Sequence, residues 1–91
     1  MKRKRLIKLS KQYFSVNNGN PFDSKSICSS EIVKSANKIA IETDVIILEI
    51  KEPSWSLGKV HIYTKAKRAN YEKFCQELIK DLGPYLEGYS V

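Results

Sequence analysis

The stretch VIILEIKEPSWSLGKVHIYT, residues 45–64, decides the fold of this chain. Two segments rich in β-branched residues flank a polar segment that contains Pro53 and Gly58. β-Branched residues favour strands, whereas proline and glycine favour turns. The stretch therefore predicts two antiparallel strands joined by a loop, with Trp55 at the tip, either tucked back or exposed.

The second strand, residues 59–64, alternates between apolar and polar side chains, and successive side chains of a strand point to opposite faces. Val60 and Ile62 are therefore expected in the core. On the first strand, the same reasoning adds Ile46, Leu48 and Ile50 to the core. The opposite face of the hairpin is then expected to carry Val45, Ile47, Glu49, Lys51, Lys59, His61 and Tyr63.

A helix is predicted after the hairpin because apolar residues recur there at helical spacing. Asn70 is a candidate cap for its start, and Gly83 followed by Pro84 is typical of a helix end. Residues 85–91 form either a short edge strand or a tail. The inner face of this helix is predicted to consist of Tyr71, Phe74, Cys75, Leu78, Ile79 and Leu82.

The first half of the chain gives less decisive signals. Residues 6–16 fit either a helical stripe or a strand, and residues 17–21 (NNGNP) indicate a turn. A further helix is predicted to end near Lys38, with candidate caps at Asp23, Ser24 and Ser26. Its inner face is predicted to use Cys28, Ile32, Val33, Ala36 and Ile39.

Together these elements predict an α+β fold, with a small antiparallel sheet and two helices packed on one of its faces. The order (β)αββα(β) favours a ferredoxin-like arrangement, in which the other face of the sheet is open. A length of 91 residues predicts a single domain over residues 1–91. The sequence does not decide whether the basic start, residues 1–5, is ordered or disordered.

Several classes of protein are disfavoured by composition. No apolar run reaches the roughly 20 residues that cross a bilayer, and no apolar h-region follows the basic start. Cys28 and Cys75 are the only cysteines, no C-x-x-C pair occurs, and there is one histidine. We therefore predict a cytoplasmic protein with reduced thiols, no membrane association, no metal and no cofactor.

The net charge of +6, from 16 basic and 10 acidic residues, favours a polyanionic partner, either nucleic acid or an acidic protein surface. The charge is unevenly distributed. Residues 2–11 contain six basic residues and no acid. In one interpretation, these residues form a solvated basic tail that alone accounts for the excess of positive charge. These residues are Lys2, Arg3, Lys4, Arg5, Lys8 and Lys11.

We predict that RNA or DNA binds to the open sheet face and to the basic cluster that follows the second strand. RNA-recognition domains stack bases on aromatic residues of such a face, although GKVHIYT (residues 58–64) lacks the aromatic spacing of their RNP1 signature. Arginine is scarce, which favours recognition of shape or backbone over base-specific contacts. The predicted nucleic-acid-binding residues are Lys51, Lys59, His61, Tyr63, Lys65, Lys67 and Arg68, and no catalytic residue is predicted.

Glu49 and Lys51 form a Glu-x-Lys segment, which is similar to that of metal-dependent nucleases of the PD-(D/E)xK class, Holliday-junction resolvases among them. The resemblance implies a carboxylate that helps to bind a divalent cation and a lysine that positions the attacking water. That family carries a separate aspartate on the preceding strand. Here Asp44 is expected on the same strand as Glu49, five positions away and therefore on the opposite face.

Other function classes stay open. A ribosome-dependent RNase toxin is a further enzymatic alternative, because such proteins are small and basic. The non-enzymatic alternative is a phage or mobile-element protein that binds and occludes a protein partner through Val45, Ile47, Tyr63, Trp55 and an edge strand. No glycine-rich phosphate loop and no G-x-S-x-G motif occurs, so nucleotide hydrolysis is not expected.

Overall fold

A computed structural model describes residues 4–15, 23–55 and 58–90 of the chain. The predicted turn at residues 17–21 lies outside the described residues. A short 3-10 turn, Gly83–Tyr85, joins the second helix to the final strand. The other elements, in chain order, are β1 (Lys4–Ser10), β2 (Gln12–Ser15), β3 (Asp23–Ser26), α1 (Ser29–Thr43), β4 (Ile46–Lys51), β5 (Lys59–Lys65), α2 (Arg68–Leu82) and β6 (Leu86–Tyr89).

Four strands form the main sheet in the order β4-β5-β1-β6, and each is antiparallel to its neighbours. Among the described strands, β2 and β3 pair only with each other, as a separate hairpin. An antiparallel sheet with two helices confirms the predicted α+β class. The finer ferredoxin-like description stays a prediction, because the β2–β3 hairpin adds a second sheet before α1.

The core lies between the main sheet and the two helices, and it is formed by residues of all these layers. Phe74 and Leu78 of α2 are fully buried, as the helical spacing predicted. The sequence had also placed Cys28 and Ile79 on the inner faces of the helices, and this was wrong. Cys28 is exposed just before α1, and Ile79 is 45% exposed. The other buried apolar side chains among the residues whose burial is described are Ile7, Leu9, Ile32, Ala36, Ile39, Ala40, Val45, Val60, Ile62, Ala66, Tyr71, Cys75 and Leu82.

The ambiguous segment after the basic start is a strand. Ile7 and Leu9 are fully buried, whereas Lys8 between them is exposed. This period of two is the pattern of a strand with one buried face. Because β1 begins at Lys4, Lys4 and Arg5 belong to the sheet and not to a disordered start.

Strand β4 carries a bulge, which corrects the predicted register. The pairing with β5 shifts between Ile47 and Glu49, so that Leu48 is the extra residue. Ile47 and Ile50 consequently pack against the core, opposite Thr64 and Ile62. The residues that the alternation had placed in the core, Ile46 and Leu48, are exposed, and Val45 and Ile47 do not lie on the open face.

The helix ends also differ from the predicted ones. Helix α1 continues to Thr43 because Ala40 and Thr43 extend its buried face. Asp44 then ends the helix in the left-handed conformation (φ 57°), and the Val45 amide donates to the Ala40 carbonyl at 2.9 Å.

Helix α2 begins before the predicted cap, at Arg68, and its N-cap, Lys67, makes no side-chain capping bond. None of the helices formed by the described residues is both long and apolar enough to cross a membrane.

Candidate nucleic-acid interface

The main-sheet face that points away from the helices, here called the open face, is organised by the strand register. On β5, Lys59, His61, Tyr63 and Lys65 alternate with the core residues Val60, Ile62 and Thr64. Tyr63 lies opposite Leu6 of β1 and Glu49 of β4. His61 lies opposite Lys8 and Lys51 on the same two strands. The open face therefore has an apolar and aromatic centre with lysines beside it.

Five lysines of three strands belong to this face: Lys4, Lys8, Lys51, Lys59 and Lys65. Two of them have acidic neighbours, since Lys51 Nζ is 3.6 Å from Glu49 Oε1 and Lys59 contacts the Glu87 carboxylate. Among the described residues, the other three have no carboxylate partner within ion-pair distance. Exposed amines of this kind are available to neutralise phosphates.

The charge of the described elements is concentrated in the main sheet. Helix α1 carries two lysines and two glutamates, and α2 carries three basic and three acidic residues. The four strands of the main sheet carry six basic residues against two acidic ones. The helical layer is thus formally neutral, and the net positive charge of these elements lies in the main sheet.

Tyr63 lies at the centre of the open face and is half-buried. Lys4 Nζ lies 4.6 Å from the ring centroid, and Lys51 Nζ lies 5.8 Å from it. Both distances are within the range of a cation–π attraction. The two amines hold positive charge directly beside the ring, on either side of β5.

His61 is mostly covered, with only 7% of its surface exposed. The indole of Trp55 contacts it edge-on, with ring centroids 5.9 Å apart. Trp55 itself is 80% exposed. On the open face, the His61 ring therefore mainly supports Trp55, and little of it is accessible to a ligand.

The loop that carries Trp55 is fixed at both ends by Lys11. The Lys11 backbone N–H donates to the Gly58 carbonyl at 2.6 Å, and its Nζ lies 3.0 Å from Glu52 Oε1. Ser29 donates to the same carboxylate oxygen at 2.6 Å. The Ser29 hydroxyl, followed by the Lys11 amine, holds the pKa of Glu52 below its ordinary value. These bonds set the position from which the Trp55 loop begins and returns.

The predicted site residues do not form one compact patch. Lys59 and Lys65 stand at opposite ends of β5, about 20 Å apart at the usual rise per residue. Lys67 and Arg68 follow the strand at the start of α2, where Arg68 Nε is 3.2 Å from Glu72 Oε1. The structure brings Lys51, Lys59, His61, Tyr63 and Lys65 onto the open face, and Lys67 and Arg68 lie beyond its end.

Three residues of this face were missed from the sequence: Lys4, Lys8 and Trp55. The signal for the lysines was present, because Lys4 and Lys8 fall on one side of a strand that has Ile7 and Leu9 on the other. The basic run at residues 2–11 obscured that alternation. For Trp55, no sequence pattern chose between a tucked and an exposed side chain.

The Glu-x-Lys segment keeps its predicted face but does not gain the aspartate. Glu49 and Lys51 lie opposite Tyr63 and His61, on the open face. Asp44 was expected on the same strand as Glu49, and this was wrong, because Asp44 ends α1. Within the described part of the chain, no group of three or more His, Cys, Asp or Glu side chains is arranged to hold a metal ion.

Comparisons of the chain with protein-family models, with curated proteins and with solved structures find no match.

Proposed function

We propose that this protein binds nucleic acid without catalysing a reaction, through the open face of its main sheet. One observation supports this most directly: lysines of β1, β4 and β5 surround Tyr63 on the open face, while both helices are formally neutral. A polyanion would be drawn to that face and not to the helical layer.

The proposal has a thermodynamic signature. Each phosphate that a lysine neutralises releases condensed counterions, so the affinity falls as salt rises. If about four phosphates are neutralised, log K against log salt has a slope of about −3 for a single strand and about −4 for a duplex.

The test is a binding titration with labelled RNA, single-stranded DNA and duplex DNA at several salt concentrations. The variant Lys8→Glu/Lys65→Glu reverses two open-face lysines without carboxylate partners. Its matched control, Lys34→Glu/Lys38→Glu, makes the same change in net charge on exposed positions of α1. The open-face variant should lose affinity and have a flatter salt slope, whereas the control should retain most of both. Equal losses in the two variants would reduce the proposal to a general effect of net charge.

A basic tail is the simplest rival within the same class of function. Deletion of residues 2–5, which contain Lys2, Arg3, Lys4 and Arg5, is not a clean test because β1 begins at Lys4. Deletion of Lys2 and Arg3 alone separates binding by the basic tail from binding by the open face. Binding that survives this deletion supports the open face, and binding that disappears assigns it to the tail.

A protein partner is the second candidate, because the edge strand β4 exposes Ile46 and Leu48. Apolar side chains on an unpaired edge favour docking of another polypeptide. A flat salt response with all three nucleic acids would favour this candidate.

The predicted contribution of Lys67 and Arg68 to nucleic-acid binding is tested by reversing both to glutamate. This variant should bind nucleic acid more weakly if the site continues past β5.

A further inference from the structure

The aromatic residues of the open face are not equally available to a ligand. His61 is almost completely covered, and the half-buried ring of Tyr63 has two lysine amines close to it. Trp55 differs from both, since it combines 80% exposure with an edge contact to the His61 ring. Of these three rings, Trp55 therefore has the largest area free for contact with a planar group.

Trp55 is also held in position. The residues at both ends of its loop are bound by one lysine, through Glu52 at the start and through the Gly58 carbonyl at the return. Contact with His61, which is fixed in β5, gives the indole a further support. A ring that is positioned before the ligand arrives loses less conformational freedom on binding.

A base can stack on a protein ring only when it is not already stacked within a duplex. Reading the base sequence of an intact duplex directly depends on side chains that reach base edges, most often arginine or lysine, whereas the backbone of a duplex can be bound by lysines alone. The two arginines in the described residues are unsuitable, because Arg5 donates to the Ala66 carbonyl and Arg68 is paired with Glu72. Among the described residues, the open face thus has lysines for phosphates and an exposed ring for a base, but no arginine free to read a base edge.

We infer that the nucleic acid bound by this protein is single-stranded, with a base stacked on Trp55 and the backbone along the open-face lysines. This inference rests on the proposed function, and it adds the class of nucleic acid and the stacking residue.

The experiment uses the full chain and its intrinsic fluorescence, because Trp55 is the only tryptophan. The probes are oligothymidylate, oligouridylate and a mixed-sequence DNA duplex. Trp55→Ala and Trp55→Phe are compared with Ile41→Ala, a control on α1 with a similarly exposed side chain (83%). The melting temperatures of all variants are measured to show that each is folded.

Single strands should quench the Trp55 emission. Trp55→Ala should weaken oligothymidylate binding by about 5- to 150-fold, the usual contribution of one stacked base, and weaken duplex binding by less than about 2-fold. Trp55→Phe should recover most of the loss, and Ile41→Ala should change nothing.

Two failures are distinguishable. If lysine-dependent, salt-sensitive binding persists but Trp55→Ala affects the duplex and the single strands equally, or the emission does not change, the inference is wrong and the proposed function stands. If none of the probes binds in a salt-sensitive manner, the proposed function is wrong and the inference with it.

Discussion

Lys4 and Arg5 are adjacent in the sequence but lie on opposite faces of β1. Lys4 Nζ lies 4.6 Å from the ring centroid of Tyr63 on the open face. The Arg5 guanidinium carbon lies 4.7 Å from the ring centroid of Tyr71 in α2, and its Nη1 donates to the Ala66 carbonyl at 2.9 Å. One basic run therefore supplies both a candidate ligand contact and a contact between sheet and helix.

This relationship predicts that neighbouring substitutions have different effects. Lys4→Gln should reduce the salt slope of single-strand binding by about 0.7, because one phosphate contact is lost, and should leave the melting temperature nearly unchanged. Arg5→Gln should lower the free energy of unfolding by about 1–3 kcal/mol, since it removes a charged hydrogen bond, and should keep the salt slope. The opposite assignment of the two effects would contradict the strand register.

The core of α2 gives a second prediction. Leu78→Ala should lower the free energy of unfolding by about 2–5 kcal/mol, a large part of the stability of a domain of this size. The adjacent Ile79 is 45% exposed, so Ile79→Ala should cost less than about 1 kcal/mol. Chemical denaturation of both variants measures the difference. Equal costs would mean that the inward face of α2 is wrongly assigned.

The sequence predicted those parts of the fold where local pattern and tertiary environment agree. Helix α2 and strand β5 carry regular spacings, and each occurs close to its predicted position. The predicted register of β4 was wrong because Leu48 is a bulge residue, and a bulge depends on pairing with a neighbouring strand. Segment 6–16 stayed ambiguous because its few apolar residues fit both periods equally well.

The candidate site was predictable to the extent that it depends on β5. Alternation alone placed Lys59, His61 and Tyr63 on one face. It did not show that β1 pairs with β5 and brings Lys4 and Lys8 beside them, because long-range pairing has no local signature. For the same reason, the contact of Trp55 with His61 could not be read from the sequence.

A third prediction concerns the two thiols, which were both expected inside. Cys28 is exposed and Cys75 is buried. Burial raises the pKa of the Cys75 thiol above its ordinary value of 9.0, which further lowers its thiolate fraction near neutral pH. An aromatic disulfide reagent should therefore label one thiol in the native protein and the second only after denaturation. Rapid labelling of a native Cys28→Ser variant would contradict the burial of Cys75.

The raised pKa of Cys75 also has a consequence for stability. The thiol ionises at lower pH in the unfolded state than in the folded state, so the unfolded state binds fewer protons once the pH exceeds about 9. The corresponding stability is fully present below the unfolded pKa and is lost as the pH rises towards the folded pKa. Melting temperatures measured between neutral pH and about pH 9.5 should accordingly decrease, and less so in Cys75→Ser than in the parent.

The fourth prediction separates binding from metal-dependent cleavage at Glu49. This carboxylate lies on the open face beside Lys51 and Tyr63, and Asp44 is at the end of α1. In a binding face, a carboxylate repels phosphates, so Glu49→Gln should strengthen nucleic-acid binding slightly, whereas Lys51→Ala should weaken it. In a nuclease of the Glu-x-Lys type, both substitutions would instead abolish cleavage.

The measurement is incubation of the protein with branched and linear DNA in magnesium or manganese, followed by titration of the two variants with the same DNA. We expect no cleavage, together with the opposite shifts in affinity. Cleavage that persists in both variants would exclude Glu49 and Lys51 as its catalytic residues, and its source would then be other residues of the chain or a copurifying enzyme. Cleavage by the parent protein that both Glu49→Gln and Lys51→Ala abolish would overturn the binding proposal and make the open face an active site.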